Sequence, residues 1–290
     1  ACCKLTIGGM GMGMSSQLLA ESHLKSLETE GYLIIDELFD EVLLERLRAD
    51  VDLASQECCQ IQQQKAVGTS VDSSDNPLGG DGALGGAAHH AICFGDSFQD
   101  LLENRPAFEL INDYLGGKFI LNSFGAVTNT KSNSMYEHGM IVHRDTRSFH
   151  PTYRQMLWMF VMVDDFTAEN GATHILPRSH DQEFQPSEEI FAEKSIQAEG
   201  KAGSILLVDG RLWHASGKNM TTGSRRILTL AFTLPYVKPQ MDYVRYFGVN
   251  KVKSMSDNLK QLYGYYSRIP CDFEEWYSPP EERFYQSSQG

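Results

Sequence analysis

Ile141-Val142-His143-Arg144-Asp145 is the stretch of this 290-residue chain on which its reading turns. His143 and Asp145 stand two apart in an apolar setting, and on an extended strand that spacing directs imidazole and carboxylate to one face. Both groups are good ligands for a divalent metal. A third ligand must come from elsewhere, and the best candidate is His214 in Leu212-Trp213-His214. Two histidines and one carboxylate on a single triangular face form the arrangement of non-haem Fe(II) sites, in which the opposite face stays open. Taken alone, the pair is a weak signal. In a chain with 9 His and 38 Asp plus Glu, His-x-Asp arises by chance, and a hydrogen-bonded strand histidine followed by a turn aspartate is the plainer account. What lies further along the chain changes that balance.

Downstream, Met156 to Val163 is continuously apolar, which predicts a strand covered on both faces. Gly171 to Pro177 reads as a turn into a short strand, and Gly203 to Val208 as a strand closed by the turn Asp209-Gly210. Ile227 to Leu234 alternates Ile, Thr, Ala, Thr with Leu, Leu, Phe, Leu; the leucine face should pack on helices and the small face should line a cavity. A helix is expected near Ser254 to Tyr263, followed by an aromatic, Pro-rich tail from Trp276 to Tyr285.

Upstream, Tyr136 to Gly139 reads as a turn, Lys118 to Asn129 as a strand, and Pro106 as the first turn of a short helix ending near Leu115-Gly116. Residues 69–90 carry Gly79, Gly80, Gly82, Gly85 and Gly86 with no periodicity, as expected of a lid or binding loop. His89-His90 at its far edge could help bind substrate as a pair, but surface loop histidine is the simpler reading. Helices are expected over Ser16 to Glu30, stopped by Gly31, and from the cap Asp40 onward, with the strand Tyr32 to Ile35 between them. The Gly- and Met-rich residues 1–15 read as a disordered leader, and 16–290 as one domain. Helices first, then many short strands between Gly and Asp turns, predict a mainly β chain: a jelly-roll, cupin-like core with helices packed outside.

The net charge of -13 and pI of about 5.1 argue against a nucleic-acid footprint and against anionic membrane surfaces. No apolar run approaches the roughly 20 residues of a spanning helix. Six cysteines, as Cys2-Cys3, Cys58-Cys59, Cys93 and Cys271, match neither a zinc framework nor a disulfide scaffold. Free thiols in a reducing compartment are the simpler account, so a cytoplasmic location is expected.

Three further segments fall in a telling order. Asn170-Gly171 leads to Pro177-Arg178-Ser179-His180; His214 is followed by Asn219 and Arg225; Gly31-Tyr32-Leu33-Ile34-Ile35 precedes a charged helix. Together with His143-x-Asp145 these resemble the motifs of the phytanoyl-CoA dioxygenase (PhyH-like) family, from about Ser16 to Tyr266. The departures are Arg178, where the family usually has Gly, and Met140, where a subgroup acting on small natural products tends to carry Gln.

The resemblance implies an Fe(II)- and 2-oxoglutarate-dependent dioxygenase on a double-stranded β-helix. It would oxidise a small-molecule metabolite at C–H, with release of succinate and CO2. By the same resemblance His143, Asp145 and His214 bind the iron, leaving three positions for a bidentate 2-oxo acid and O2. Asp145 also points to a hydroxylase, because a related halogenase needs a small residue there. Arg225 is the expected anchor for the distal carboxylate of 2-oxoglutarate, with adjacent Arg226 its rival. Thr173, Phe160 and Ser216 are further candidates for the cosubstrate pocket, beside the ordinary readings of strand threonine, core and turn. Trp158 could likewise pack on the cosubstrate chain, with core its plainer reading, and Asn219 reads as a turn residue. Arg147 and His150 could overhang the mouth, while His174 and His180 read as structural. An acyl-CoA substrate would want a basic entrance that this acidic chain lacks. A non-catalytic metal-binding cupin-like module and a β-rich interaction protein are the other readings.

Overall fold

The computed structural model describes residues 4–5, 14–66, 87–131 and 141–289. The chain opens with β1 (Lys4–Leu5), α1 (Met14–Glu30), β2 (Tyr32–Ile35) and α2 (Glu41–Ala66). Lys4–Leu5, expected in a disordered leader, runs parallel to Ile34 and Ile35 at the edge of a sheet. Gly31 ends α1 at φ 78°, a conformation that costs glycine little, and its N–H donates to the Leu27 carbonyl at 2.9 Å. Asp40 caps α2 by accepting from Leu43 N at 2.9 Å, a contact worth about 1 kcal/mol. There follow β3 (Ala87–His89), α3 (Asp96–Glu103), α4 (Phe108–Leu115), β4 (Ile120–Asn129), β5 (Met156–Met162), β6 (His174–Ile175), β7 (Ile196–Gln197), β8 (Ile205–Asp209), β9 (His214–Ala215) and β10 (Arg225–Thr233). Of the Gly-rich segment, 69–86 lies outside the described residues, as do the expected Tyr136–Gly139 turn and Met140. The segment's end, Ala87–His89, is a strand paired to β4.

A seven-stranded sheet runs β1-β2-β8-β5-β10-β4-β3, and a three-stranded sheet runs β7-β6-β9. From β4 onward the chain alternates between them: β5, β8 and β10 return to the large sheet, while β6, β7 and β9 build the small one. This two-sheet, antiparallel alternation is a jelly-roll arrangement. Helix outweighs strand, about 37% against about 21%, so the expectation of a mainly β chain is corrected to a mixed one. The physical reason is that one whole face of the large sheet must be covered, and helices cover it.

Two cores follow from the period of two along each strand. Leu157, Met159, Val161, Leu228, Leu230 and Phe232 pack with Leu47, Phe98 and Leu101 of the helices. Their neighbours Phe160, Met162, Leu206, Val208 and Ile227 pack inward with Phe166 and Ile175 beneath the small sheet. The alternation read along Ile227 to Leu234 therefore sorts as expected, leucines to the helices and Thr229 and Ala231 to the interior. His143-x-Asp145 departs from its expected strand. Only His143 pairs, in an isolated bridge with His214, because the next hydrogen bonds go to a turn rather than along a partner strand.

Candidate metal centre

The site grows from the turn Asp209-Gly210-Arg211 that joins β8 to β9. His143 and His214 exchange backbone hydrogen bonds, His143 N to His214 O at 3.0 Å and His214 N to His143 O at 2.9 Å. Asp145 N and Thr146 N then both donate to Gly210 O, at 3.0 and 2.9 Å. The backbone stays extended enough that His143 and Asp145 share a side, while Arg144 turns the other way and lies 5.2 Å over the Trp213 ring.

The three side chains converge. One ligand atom from each of His143, Asp145 and His214 lies within 4.8 Å of the others. His214 Nε2 is 3.5 Å from Asp145 Oδ2, His143 Nε2 is 3.9 Å from Asp145 Oδ1, and the imidazole centroids are 4.4 Å apart. Each imidazole has its other nitrogen occupied: Nδ1 of His143 meets the Ile141 carbonyl at 2.8 Å and Nδ1 of His214 the Leu212 carbonyl at 3.0 Å. A carbonyl accepts only, so Nδ1 carries the proton and both Nε2 lone pairs face the carboxylate. Burial, above all, lowers the pKa of His214, which keeps it in the neutral, ligating form. Among the described residues Asp145 Oδ2 is buried without a hydrogen-bond partner, a costly state for a carboxylate oxygen unless a cation meets it. The donor set thus fits a divalent metal with oxygen and imidazole preference.

The two adjacent arginines part company. Arg225 is 1% exposed on the interior face, its guanidinium 4.0 Å over the Phe166 ring. Arg226 points to the helices and pairs with Asp52 at 2.8 Å and Asp164 at 3.2 Å. Phe160 is buried, its ring 6.3 Å from that of His214 and 5.9 Å from that of Trp158. Thr173 is buried beside β6, and Ser216 is half-buried just after β9. Arg147 and His150 are exposed on the loop after Asp145. Asn219 is a turn residue: its amide donates to the carbonyls of Asn129 and Gly223, and its oxygen accepts from Thr221 N.

A family model described as phytanoyl-CoA dioxygenase (PhyH) matches residues 27–227, more than half of the chain. The chain belongs to this family. An uncharacterised protein of Mycobacterium tuberculosis is 36% identical over 128 residues, 44% of this chain and 47% of that protein. Dioxygenase af480 of Aspergillus fumigatus is 26% identical over 171 residues, 57% of this chain and 54% of that one. The chain spans about half the length of these curated relatives. Among solved structures, the non-heme alpha ketoglutarate dependent epimerase SnoN from nogalamycin biosynthesis shares the fold. Its TM-score is 0.54 at 17% identity, covering 75% of this chain and 83% of that one.

The PhyH motifs acquire physical roles here. In Pro177-Arg178-Ser179-His180, Ser179 Oγ accepts from Trp213 N at 2.9 Å and so holds the residue before His214. His180 Nε2 meets the Glu28 carbonyl at 3.1 Å, docking the motif on the end of α1. A Cβ on Gly31 would lie 2.5 Å from His180 Nδ1, so the opening Gly-Tyr pair and the Ser-His pair are one contact. Sequence reasoning missed Asp209 and Arg211. Asp209-Gly210 read as a plain turn, and nothing in the local pattern says that its aspartate and the following arginine are both buried. The one available signal was a charged pair inside an otherwise apolar stretch.

Proposed function

We propose that this family member is an Fe(II)- and 2-oxoglutarate-dependent dioxygenase acting on a C–H bond of a small-molecule metabolite. The observation that carries the reading is the convergence of His143, Asp145 and His214 with both Nε2 atoms turned to the carboxylate. When bound, iron with 2-oxoglutarate and O2 supplies the oxidation and yields succinate and CO2. The chain's own residues do the rest. The carbonyls of Ile141 and Leu212 hold the imidazole tautomers, and Asp145 supplies the anionic ligand. Arg225 offers a buried fork for the distal carboxylate, oriented by Phe166. Thr173, Phe160 and Ser216 complete the cosubstrate side, with Phe160 closing it to water.

An aspartate at the second ligand position favours hydroxylation, desaturation or a related C–H oxidation over halogenation. The net charge of -13 favours a substrate not carried on CoA, whose phosphates would want a basic entrance. The free thiols Cys58, Cys59, Cys93 and Cys271 suit a cytoplasmic setting. Among the described residues no helix is long and apolar enough to cross a membrane.

The test is metal analysis after anaerobic purification, then calorimetric titration of 2-oxoglutarate into the metal-loaded protein. About one iron or manganese per chain is expected. Arg225→Gln should keep the metal and lose 2-oxoglutarate binding by at least ~10-fold, the loss of a charge-assisted pair. Asp145→Ala should lose both. Metal-loaded protein that ignores 2-oxoglutarate would leave only the non-catalytic cupin-like reading.

A further inference from the structure

We infer that Arg211 is a positioning residue: with Asp209 it forms the buried joint that fixes the three candidate ligands relative to one another. This rests on the metal site proposed above. Asp209 is 1% and Arg211 4% exposed. Their pairing is a fork on a fork, Arg211 Nε to Asp209 Oδ1 at 2.9 Å and Nη2 to Oδ2 at 2.8 Å. Arg211 N also donates to Asp209 Oδ1 at 2.7 Å, and the Tyr114 hydroxyl donates to Oδ2 from α4. The turn cannot flex without breaking several of these at once.

The third nitrogen reaches away from the aspartate. Arg211 Nη1 donates to the His150 carbonyl at 3.0 Å and the Pro151 carbonyl at 2.7 Å. The intervening Gly210 carbonyl accepts from Asp145 N, Thr146 N and Thr146 Oγ1, the last at 2.9 Å. The segment from Asp145 to Pro151 is therefore bound at both ends to one turn. Three residues after Arg211 that same turn delivers His214, which is bridged to His143. All three ligands hang from one rigid body.

Stability alone does not explain such a pair. Desolvating two charges costs several kcal/mol each, and a well-packed apolar pair of equal volume does as well or better. What an apolar pair cannot do is aim donors at two carbonyls while gripping a carboxylate. Lysine cannot either, since its single ammonium lacks the planar fork.

The probe is Mn(II), titrated into folded apoprotein with free Mn(II) read by electron paramagnetic resonance, alongside melting by circular dichroism. Arg211→Lys and Arg211→Met should raise the Mn(II) Kd by ~10–100-fold, the usual effect of removing support behind metal ligands. Arg226→Met, which breaks the exposed-side pair with Asp52 and Asp164, should lower Tm and leave the Mn(II) Kd within about twofold, because its partners do not support the ligands. Arg211 variants that melt earlier yet bind Mn(II) as tightly as the parent would overturn the inference. If they do not fold, Tyr114→Phe decides: a Kd raised ~2–10-fold supports the joint, and an unchanged Kd overturns it. A parent protein that binds no Mn(II) would instead strike down the metal site itself.

Discussion

Arg178 stands at φ 64°, in the left-handed region where a glycine is at ease and a long side chain is not. The turn at which the family resemblance implies glycine is made here by an arginine. It is compensated by Glu30, whose carboxylate takes Arg178 Nε at 3.0 Å and Nη2 at 2.6 Å, and by Arg178 N donating to the Glu30 carbonyl. The magnitudes oppose one another. The backbone strain is about 1–3 kcal/mol, the solvent-screened ion pair returns little of it, and glycine's unfolded-state entropy offsets about 0.5–1 kcal/mol of any gain. Arg178→Gly should therefore match or slightly exceed the parent in denaturant unfolding. Arg178→Val, branched and unpaired, should lose more than about 1 kcal/mol. A valine variant as stable as glycine would show that the turn is not strained. The metal affinity should be indifferent to all three residues, since Arg178 touches α1 and not the ligands.

The paired loops around β6 and β9 cross with no room between them. A Cβ on Gly171, which sits at φ 85°, would lie 2.4 Å from the Gly217 carbonyl oxygen, and one on Gly217 would lie 2.4 Å from the Ala172 oxygen. Because the obstruction is backbone, Gly171→Ala should cost at least the roughly 1–3 kcal/mol of a forced left-handed residue, and calorimetry on that variant measures it. Within β5 the balance runs the other way. The Trp158 indole Nε1 is buried with no hydrogen-bond partner among the described residues, a state that costs about 1–3 kcal/mol. Trp158→Phe should be neutral or stabilising despite its smaller ring, and a loss above about 2 kcal/mol would mean that packing outweighs the orphaned donor. Long elements were legible in advance: the apolar run of β5 announces a strand covered on both faces, and the alternation of β10 announces which face meets helices. The two-residue strands β6, β7 and β9 carry too few residues for any period, and the metal-bearing stretch looked like a strand because its spacing is two. Its partner is a turn, which only the folded chain brings alongside. The candidate ligands His143, Asp145 and His214, which the fold brings together, and the inward-facing Arg225 were named from types and spacings; the Asp209–Arg211 joint was not, since burial of a charged turn is decided by distant α4.

Besides His214, three of the described histidines, His23, His90 and His174, have their pKa values lowered, each chiefly by burial. The unfolded chain takes up these protons below about pH 6.5 while the folded chain resists them, so stability should rise with pH through that window and fall on acidification from about pH 7 to 5. Asp165 adds to the same slope at lower pH, since its hydrogen bonds to Lys201, then Ala202, depress its pKa and are lost as it protonates. Melting temperature against pH checks this, and His174→Gln should flatten the slope; an unchanged slope would remove His174 from the account. The large sheet separates two chemistries, which Tyr114 of α4 links through its hydroxyl on Asp209. On β10 the side chains of Arg225 and Arg226, one bond apart in the main chain, serve the interior and the helical layer respectively. The sheet acts as a bulkhead. Away from Tyr114, substitutions on α2 or on the helix-facing leucines would tune how hot the protein can run while leaving the interior face untouched, so directed evolution could harden the helical compartment first.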